Sequence, residues 1–216
     1  MSAVQLPHRR ALLLAAAALA AVPLPWWVRA ASAQGAAGGP SAPVARLDEA
    51  LLHIMRMGQA TPFAQRAAAL TPVVQSVFDL PHILEVSVGP RWATMSPADQ
   101  AKLLDVFTRY TVASYVANFD SFDGQRIDIL PQTRAVGADQ MVATQVVPKN
   151  GEATRIDYQM RRTAAGWQVV DVLLDGSISR VAVQRSDFRS LIAGGGPQRL
   201  IASLERKVAN LQDGKS

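Results

Sequence analysis

A few acidic and histidine side chains are the residues in this chain that could carry out acid–base chemistry or bind a metal. Asp171 and Asp175 lie along one predicted strand, so they could act as paired carboxylates, with His82 as a third group. Asp79, His82 and Glu85 share one face of a predicted helix and could bind a metal ion. We favour the structural alternatives: a helix N-cap at Asp79, a polar His82 in the first turn, a solvated Glu85, and strand-edge carboxylates bonded to arginine or to loop amides.

Residues for nucleophilic or phosphate chemistry are scarce. The chain has no cysteine, and no serine lies in a Gly-x-Ser-x-Gly sequence. The sequence therefore offers few residues from which a nucleophile–histidine–acid triad could form. Gly194, Gly195 and Gly196 are not followed by the Lys-Ser/Thr pair of a phosphate loop, and Pro197 is an ordinary helix start. These glycines are therefore predicted to form a hinge between helices. We predict a protein that is not an enzyme and needs no cofactor and no metal.

The N-terminal segment predicts export. Residues 8–10 are basic, residues 11–22 are apolar but too few to span a bilayer, and residues 31–33 form the small-x-small pattern that a signal peptidase cleaves. We predict that residues 1–33 are a signal peptide, cleaved before Gln34, which makes the mature protein periplasmic. An uncleaved anchor is the alternative, and both Sec and twin-arginine export stay open.

The charge of the mature chain argues against a nucleic-acid partner. The whole chain has 22 lysines and arginines against 17 acidic residues, but the first 33 residues hold three of the arginines and no acid, which leaves a net charge of about +2. A clustered basic face would be expected of a nucleic-acid binder. Without cysteine, no disulfide can hold the fold, so a hydrophobic core must do so.

The periodicity of apolar residues predicts one α+β domain. Residues 34–43 have the composition of a flexible leader, and residues 44–212 form the domain. Helices are predicted over 44–58, 62–78 (bent or split at Pro72), 79–89, 96–119, 185–193 and 197–211, and strands over 125–136, 140–148, 155–161 and 167–174. The antiparallel sheet thus has about four strands, with helices packed around it.

The amphipathic elements carry a surplus of large apolar side chains. Such a set can form an ordinary core or the wall of a ligand cavity, and composition alone does not separate the two. The candidate cavity residues are Phe78, Ile83, Leu84, Trp92, Leu104, Phe107, Tyr110, Tyr115, Tyr158, Trp167, Val169, Val172, Leu174, Ile178 and Phe188.

Several short motifs, taken in order, resemble a known family. They are Phe78-Asp79, the Gly89-Pro90-Arg91-Trp92 run, a capped helix with Phe107 and Tyr115, Asp157-Tyr158, the run from Gly166 to Val172, and Asp175-Gly176-Ser177-Ile178-Ser179. Their order and spacing, from about Val44 to Val208, resemble the MlaC or toluene-tolerance family of periplasmic phospholipid carriers. The segment from Arg180 to Leu191 is most similar to the HpnM branch, which is associated with hopanoid biosynthesis.

The resemblance implies a twisted antiparallel sheet and helices that enclose an apolar slot for acyl chains. It implies a monomeric carrier that moves phospholipid or hopanoid between an outer-membrane lipoprotein complex and an inner-membrane ABC transporter complex, with the cavity residues above binding the lipid. Two alternatives stay open from the residues: a non-catalytic scaffold or adaptor of a membrane complex, and a small α+β hydrolase that uses Asp171 or Asp175 with His82.

Overall fold

The computed structural model describes residues 38–215, so the predicted signal peptide and residues 34–37 of the predicted leader lie outside the described residues. The helices are α1 (Ser41–Met57), α2 (Phe63–Val77), α3 (Leu80–Val88), α4 (Pro97–Asn118), α5 (Arg180–Ala193) and α6 (Gly196–Gln212), and a short 3₁₀ helix spans Gly89–Thr94. The strands are β1 (Arg126–Val136), β2 (Asp139–Val147), β3 (Thr154–Thr163), β4 (Gly166–Leu174) and β5 (Ile178–Ser179). The α+β class is therefore confirmed.

The two best-marked helices begin at side-chain caps. Asp79 accepts a hydrogen bond from the backbone N–H of His82 at 3.1 Å and starts α3. The Ser96 hydroxyl accepts from the backbone N–H of Asp99 at 3.1 Å and starts α4, with Pro97 in the first helical position. Both N-termini lie where the sequence predicts them, because capping depends on neighbours in the chain.

The first two helices each differ from the prediction in one respect. Pro72 does not split α2; it lies on the exposed side of a continuous helix, where solvent can satisfy the carbonyl that loses its donor. The first helix begins at Ser41, so residues 41–43 of the predicted leader are helical.

The sheet has five antiparallel strands in the order β1-β2-β3-β4-β5, one more than predicted. The fifth strand is Ile178–Ser179, which pairs with Leu174 and Leu173 after a turn at Asp175 and Gly176. Both turn residues have a positive φ, of 50° and 68°. A two-residue strand is too short to show alternation, which explains why the sequence did not predict it.

The helices leave part of one sheet face uncovered. α4 packs mainly against α6 and α2 rather than on the strands. At one end of the sheet the junction between α2 and α3 closes onto β4, because Asp79 donates its backbone N–H to the carbonyl of Val169 at 3.0 Å and Phe78 forms a β-bridge with the same residue. The space between α4 and the strands is thus shut at the Val169 end. Among the described helices, none is both long and apolar enough to cross a membrane.

Candidate functional site

A cavity of about 410 Å³ lies between α4 and the sheet, with α3 and α5 completing its walls. Its lining is mostly apolar and aromatic. The lining residues are Phe78, Leu80, Ile83, Phe107, Tyr110, Thr111, Ser114, Tyr115, Asn118, Phe119, Val146, Thr154, Ile156, Tyr158, Asp171, Val172, Leu174, Arg180, Val181 and Gln184. Asn118 and Thr154 are exposed, so the cavity opens at the end of the strands opposite Val169.

Strand register builds the sheet wall. Ile156 of β3 pairs directly with Leu174 of β4, and Tyr158 pairs with Val172. Residues two apart on a strand, and residues directly opposite each other, project from the same face. All four side chains therefore face the cavity together.

The α4 wall contains hydroxyl and amide side chains, yet their donors are used inside the helix. Thr111 donates to the carbonyl of Phe107 at 2.9 Å, Ser114 donates to that of Tyr110 at 2.8 Å, and Asn118 donates to that of Ser114 at 2.7 Å. Such bonds to the preceding turn satisfy the polar group locally. The hydroxyls of Thr111 and Ser114 therefore leave room in the cavity without placing unsatisfied donors in it.

An aromatic cluster supports the wall. The rings of Phe78 and Tyr115 lie 5.7 Å apart, and Tyr115 stacks on Phe119 with 6.0 Å between ring centroids. Burial raises the pKa of both Tyr115 and Tyr158, so both phenols stay protonated and neutral at physiological pH. The cavity wall therefore carries no phenolate charge.

A buried carboxyl lies close to these tyrosines without lining the cavity. Asp48 of α1 is 5% exposed, and within residues 38–215 neither of its carboxyl oxygens has a hydrogen-bond partner. Burial raises its pKa to about 7. Its charge also raises the pKa of Tyr115 and Tyr158, which places it within electrostatic reach of both.

The structure gives neither Asp171 nor Asp175 the position of a catalytic carboxylate. Asp171 lines the cavity, but it accepts hydrogen bonds from the Ser179 hydroxyl and from the backbone N–H groups of Val172, at 2.8 Å, and Val181, at 3.1 Å. These bonds tie β4 to the first turn of α5. Asp175 lies in the β4–β5 turn and does not line the cavity.

The predicted metal-binding alternative has no support in the part of the chain that the structure describes, where no group of three His, Asp or Glu side chains could hold an ion. Asp79 caps α3. His82 contacts Arg161, with 2.8 Å between Nε2 and Nη1, and Arg161 in turn forms an ion pair of 2.8 Å with the buried Asp139. These side chains therefore link α3 to the sheet.

The structure brings eight of the predicted cavity residues to one cavity. They are Phe78, Ile83, Phe107, Tyr110, Tyr115, Tyr158, Val172 and Leu174. The sequence pattern required these residues to lie around one cavity, and they do. That they bind a lipid stays a prediction.

The other predicted cavity residues do not line it. Leu84, Val169 and Phe188 are buried core residues; Trp92, Leu104 and Trp167 are partly buried and pack against that core; Ile178 is 51% exposed on the edge strand. Val169 is covered by the α2–α3 junction, and Phe188 packs edge-on behind Phe107 with 6.2 Å between ring centroids. Leu104 lies one turn before Phe107, at the N-terminal side of the lining segment of α4.

The sequence-based list missed the polar residues of the wall and also the apolar Leu80, Phe119, Val146 and Ile156. Thr111, Ser114 and Asn118 follow Phe107 at helical spacing on the same face of α4, and this spacing could have identified them. Arg180, Val181 and Gln184 could not be found in this way, because α5 was predicted to begin at residue 185 and instead begins at Arg180.

Comparison with known proteins gives the family and the fold. The model of the MlaC protein family matches residues 45–206. A solved structure of a phospholipid-binding protein from Ralstonia solanacearum, in complex with a phospholipid, is similar with a TM-score of 0.68 and 23% sequence identity, over 81% of this chain and 99% of that chain. No curated protein matches this chain. The family match covers most of the domain, from α1 to α6, and includes every element around the cavity: the chain belongs to the MlaC family.

Proposed function

We propose that this protein is a periplasmic lipid carrier that holds an acyl chain of a phospholipid in the cavity between α4 and the sheet. The observation that carries the proposal is the cavity of about 410 Å³ with its apolar wall. An engineered apolar cavity of about 150 Å³ accepts a benzene molecule, so by proportion this cavity holds on the order of 16 carbon atoms. That is one long acyl chain. The family, and the fold shared with a phospholipid-binding protein, support the same proposal.

The energetics of carriage suit such a wall. Each methylene removed from water contributes about 0.8 kcal/mol, so a chain of 16 carbons gains about 13 kcal/mol from burial. A bilayer offers the same chain a similar gain. Transfer between membrane and protein is then close to neutral, provided that the cavity is equally apolar. The neutral phenols of Tyr115 and Tyr158 and the internally bonded hydroxyls of α4 meet that condition.

The open end of the cavity suggests where the lipid enters. We propose that the lipid enters at the mouth near Asn118 and Thr154. A second acyl chain would require the wall to move or would lie in the open part of the cavity. We further propose that the protein is a monomer that exchanges its lipid with an outer-membrane lipoprotein complex and an inner-membrane ABC transporter complex. A hopanoid cargo, as in the HpnM branch, is the alternative ligand.

The test is native mass spectrometry and lipid extraction on the protein purified from a lipid-containing periplasm. We expect a stoichiometric phospholipid. Ser114→Phe places a ring in the cavity from the α4 wall and should abolish lipid retention. Ser186→Phe adds the same ring to the exposed side of α5 and should leave retention unchanged.

Circular dichroism would confirm that both variants fold. A folded wild-type protein that returns no lipid would overturn the carrier proposal. In that case a scaffold of a membrane complex would become the better explanation. An extracted hopanoid would keep the carrier and change its cargo.

A further inference from the structure

Arg180 is a cationic residue in the wall of the cavity. It is the first residue of α5, is partly buried, and lines the cavity beside Val181. The other charged residue of the lining is Asp171, whose carboxylate is occupied by Ser179 and by two backbone N–H groups. Arg180 forms no hydrogen bond and no ion pair with any residue in the range 38–215. A guanidinium that lines a mostly apolar wall without a protein partner is free to bind an anionic group of a ligand.

The charge of Arg180 acts on the interior of the cavity. Burial raises the pKa of the Tyr115 phenol, and the nearby positive charge of Arg180 opposes that rise. Tyr115 lies on α4, across the cavity from α5. The guanidinium is therefore close enough to meet a ligand that enters between the two helices.

A second unused donor lies one helical turn away. Gln184 also lines the cavity, and its side-chain oxygen accepts a hydrogen bond from the Ser87 hydroxyl at 3.3 Å. The single proton of Ser87 is donated mainly to the carbonyl of Ile83 at 2.7 Å, so the contact to Gln184 is the weaker one. The NH₂ group of Gln184 has no partner among the described residues. Residues four apart on a helix project from the same face, so the donors of Arg180 and Gln184 are neighbours.

Two backbone N–H groups at the start of α5 are already bonded. The N–H of Val181 donates to Asp171, and that of Ala182 donates to the Ser179 hydroxyl at 3.0 Å. These two groups are not available to an anion, so the side chains of Arg180 and Gln184 are its main donors here. The planar fork of an arginine matches the two free oxygens of a phosphodiester.

We propose that Arg180 and Gln184 bind the phosphodiester of the lipid, and that this contact makes the cavity prefer lipids with an anionic phosphate over uncharged lipids with the same acyl chains. The inference rests on the proposed carrier function and deepens it by naming the residues that select the head group. It also favours a phospholipid over an uncharged polycyclic lipid.

The experiment compares two lipids that differ only in the phosphate-bearing head group. The delipidated protein is mixed with equal amounts of dipalmitoylphosphatidylglycerol and dipalmitoylglycerol, and the ratio of the two complexes is read by native mass spectrometry. We expect the wild type to prefer the phospholipid. Arg180→Met should reduce that preference about tenfold, the factor that corresponds to one charged hydrogen-bonded contact, with binding of dipalmitoylglycerol unchanged.

Two further variants separate a specific contact from a general effect. Arg180→Lys keeps the charge without the fork and should retain part of the preference. Arg189→Met removes an arginine from the same helix at an exposed position away from the cavity, and should leave the ratio at its wild-type value. An unchanged ratio in Arg180→Met, an equal fall for both lipids, or the same fall in Arg189→Met would each refute the inference while the carrier function stands.

A wild type that binds neither lipid would instead refute the carrier function itself. Repeating the competition with an excess of inorganic phosphate separates a head-group contact from a free-phosphate site. The preference should persist. If inorganic phosphate removes it, the donors form a site for the free anion and the head-group assignment is wrong.

Discussion

The buried carboxyl of Asp48 should make the stability of this protein fall as pH rises from about 4 to about 7. Burial raises the pKa of Asp48 from 3.8 to about 7, and neither oxygen has a partner within the described residues. In this pH range the folded protein holds a proton that the unfolded chain releases. Deprotonation therefore favours unfolding until the pH passes the folded-state pKa, and stability then becomes constant.

The size of the effect follows from the shift. One pKa unit corresponds to about 1.36 kcal/mol, so a shift of this size costs the folded state about 4 kcal/mol once the carboxyl is ionised. At pH 5 the pH lies between the pKa of Asp48 in the unfolded chain, 3.8, and its pKa in the folded protein, about 7, so part of this loss has already occurred. The free energy of unfolding should therefore fall by about 2.5 kcal/mol between pH 5 and pH 8 through this one group.

The assay is urea unfolding of the delipidated protein at pH 5, 6.5 and 8, followed by circular dichroism at constant ionic strength. Asp48→Asn removes the titration and should show a pH slope smaller than the wild type by about 2.5 kcal/mol over this range. The neighbouring exposed Glu49 provides the control, and Glu49→Gln should keep the wild-type slope. If wild type and Asp48→Asn have the same slope, the carboxyl is solvated or paired in solution, and the reasoning from its burial is wrong.

Three further predictions test the parts around the cavity. Phe188→Ala removes the ring behind Phe107 and should lower the free energy of unfolding by about 3 to 5 kcal/mol, measured by urea titration. The variant should bind the same lipid as the wild type. A change in the lipid that it binds would place Phe188 in the binding site. Asp139→Asn weakens the bonds from Arg161, which lower the pKa of Asp139, and should cost about 2 to 3 kcal/mol at pH 7. The stability difference between wild type and variant should shrink as pH falls below 3.8, because protonation of Asp139 removes its stabilising interaction with Arg161 in the wild type. A stability difference that does not change with pH would contradict this role of Asp139. Asp171→Asn should speed amide hydrogen exchange in the first turn of α5 and cost about 1 kcal/mol, whereas unchanged exchange would show that its bonds do not hold that turn.

The parts of the fold that depend on neighbouring residues could be predicted from the sequence. The caps of α3 and α4 lie within one turn of the residues they bond, and the alternation of Ile156, Tyr158 and Met160 places the inner face of β3. The same strand shows where the pattern fails. Asp157 was predicted on the polar face, yet it is 1% exposed, because Arg155 donates two hydrogen bonds to it at 2.8 and 2.9 Å.

The candidate site depended on contacts that are distant in the chain. Val169 and Val172 look alike in the sequence of β4, but Val169 is covered by the α2–α3 junction whereas Val172 lines the cavity. Strict alternation would place these two residues on opposite faces, but an extra residue in β4, between the partners of Gln159 and Met160, puts both on the same face. No periodicity within β4 contains that information.

A carrier of the proposed kind needs a cavity wall whose polar groups are satisfied within the protein. An unsatisfied polar group in an apolar wall costs free energy and draws in water, which would compete with an acyl chain. The hydroxyls of Thr111 and Ser114 avoid this by bonding within α4, and Asp171 by bonding to the first turn of α5. The donors of Arg180 and Gln184 are left over on the α5 wall. In the proposed carrier, the apolar wall would supply the affinity for the acyl chain, and these two donors would supply the selection of the head group.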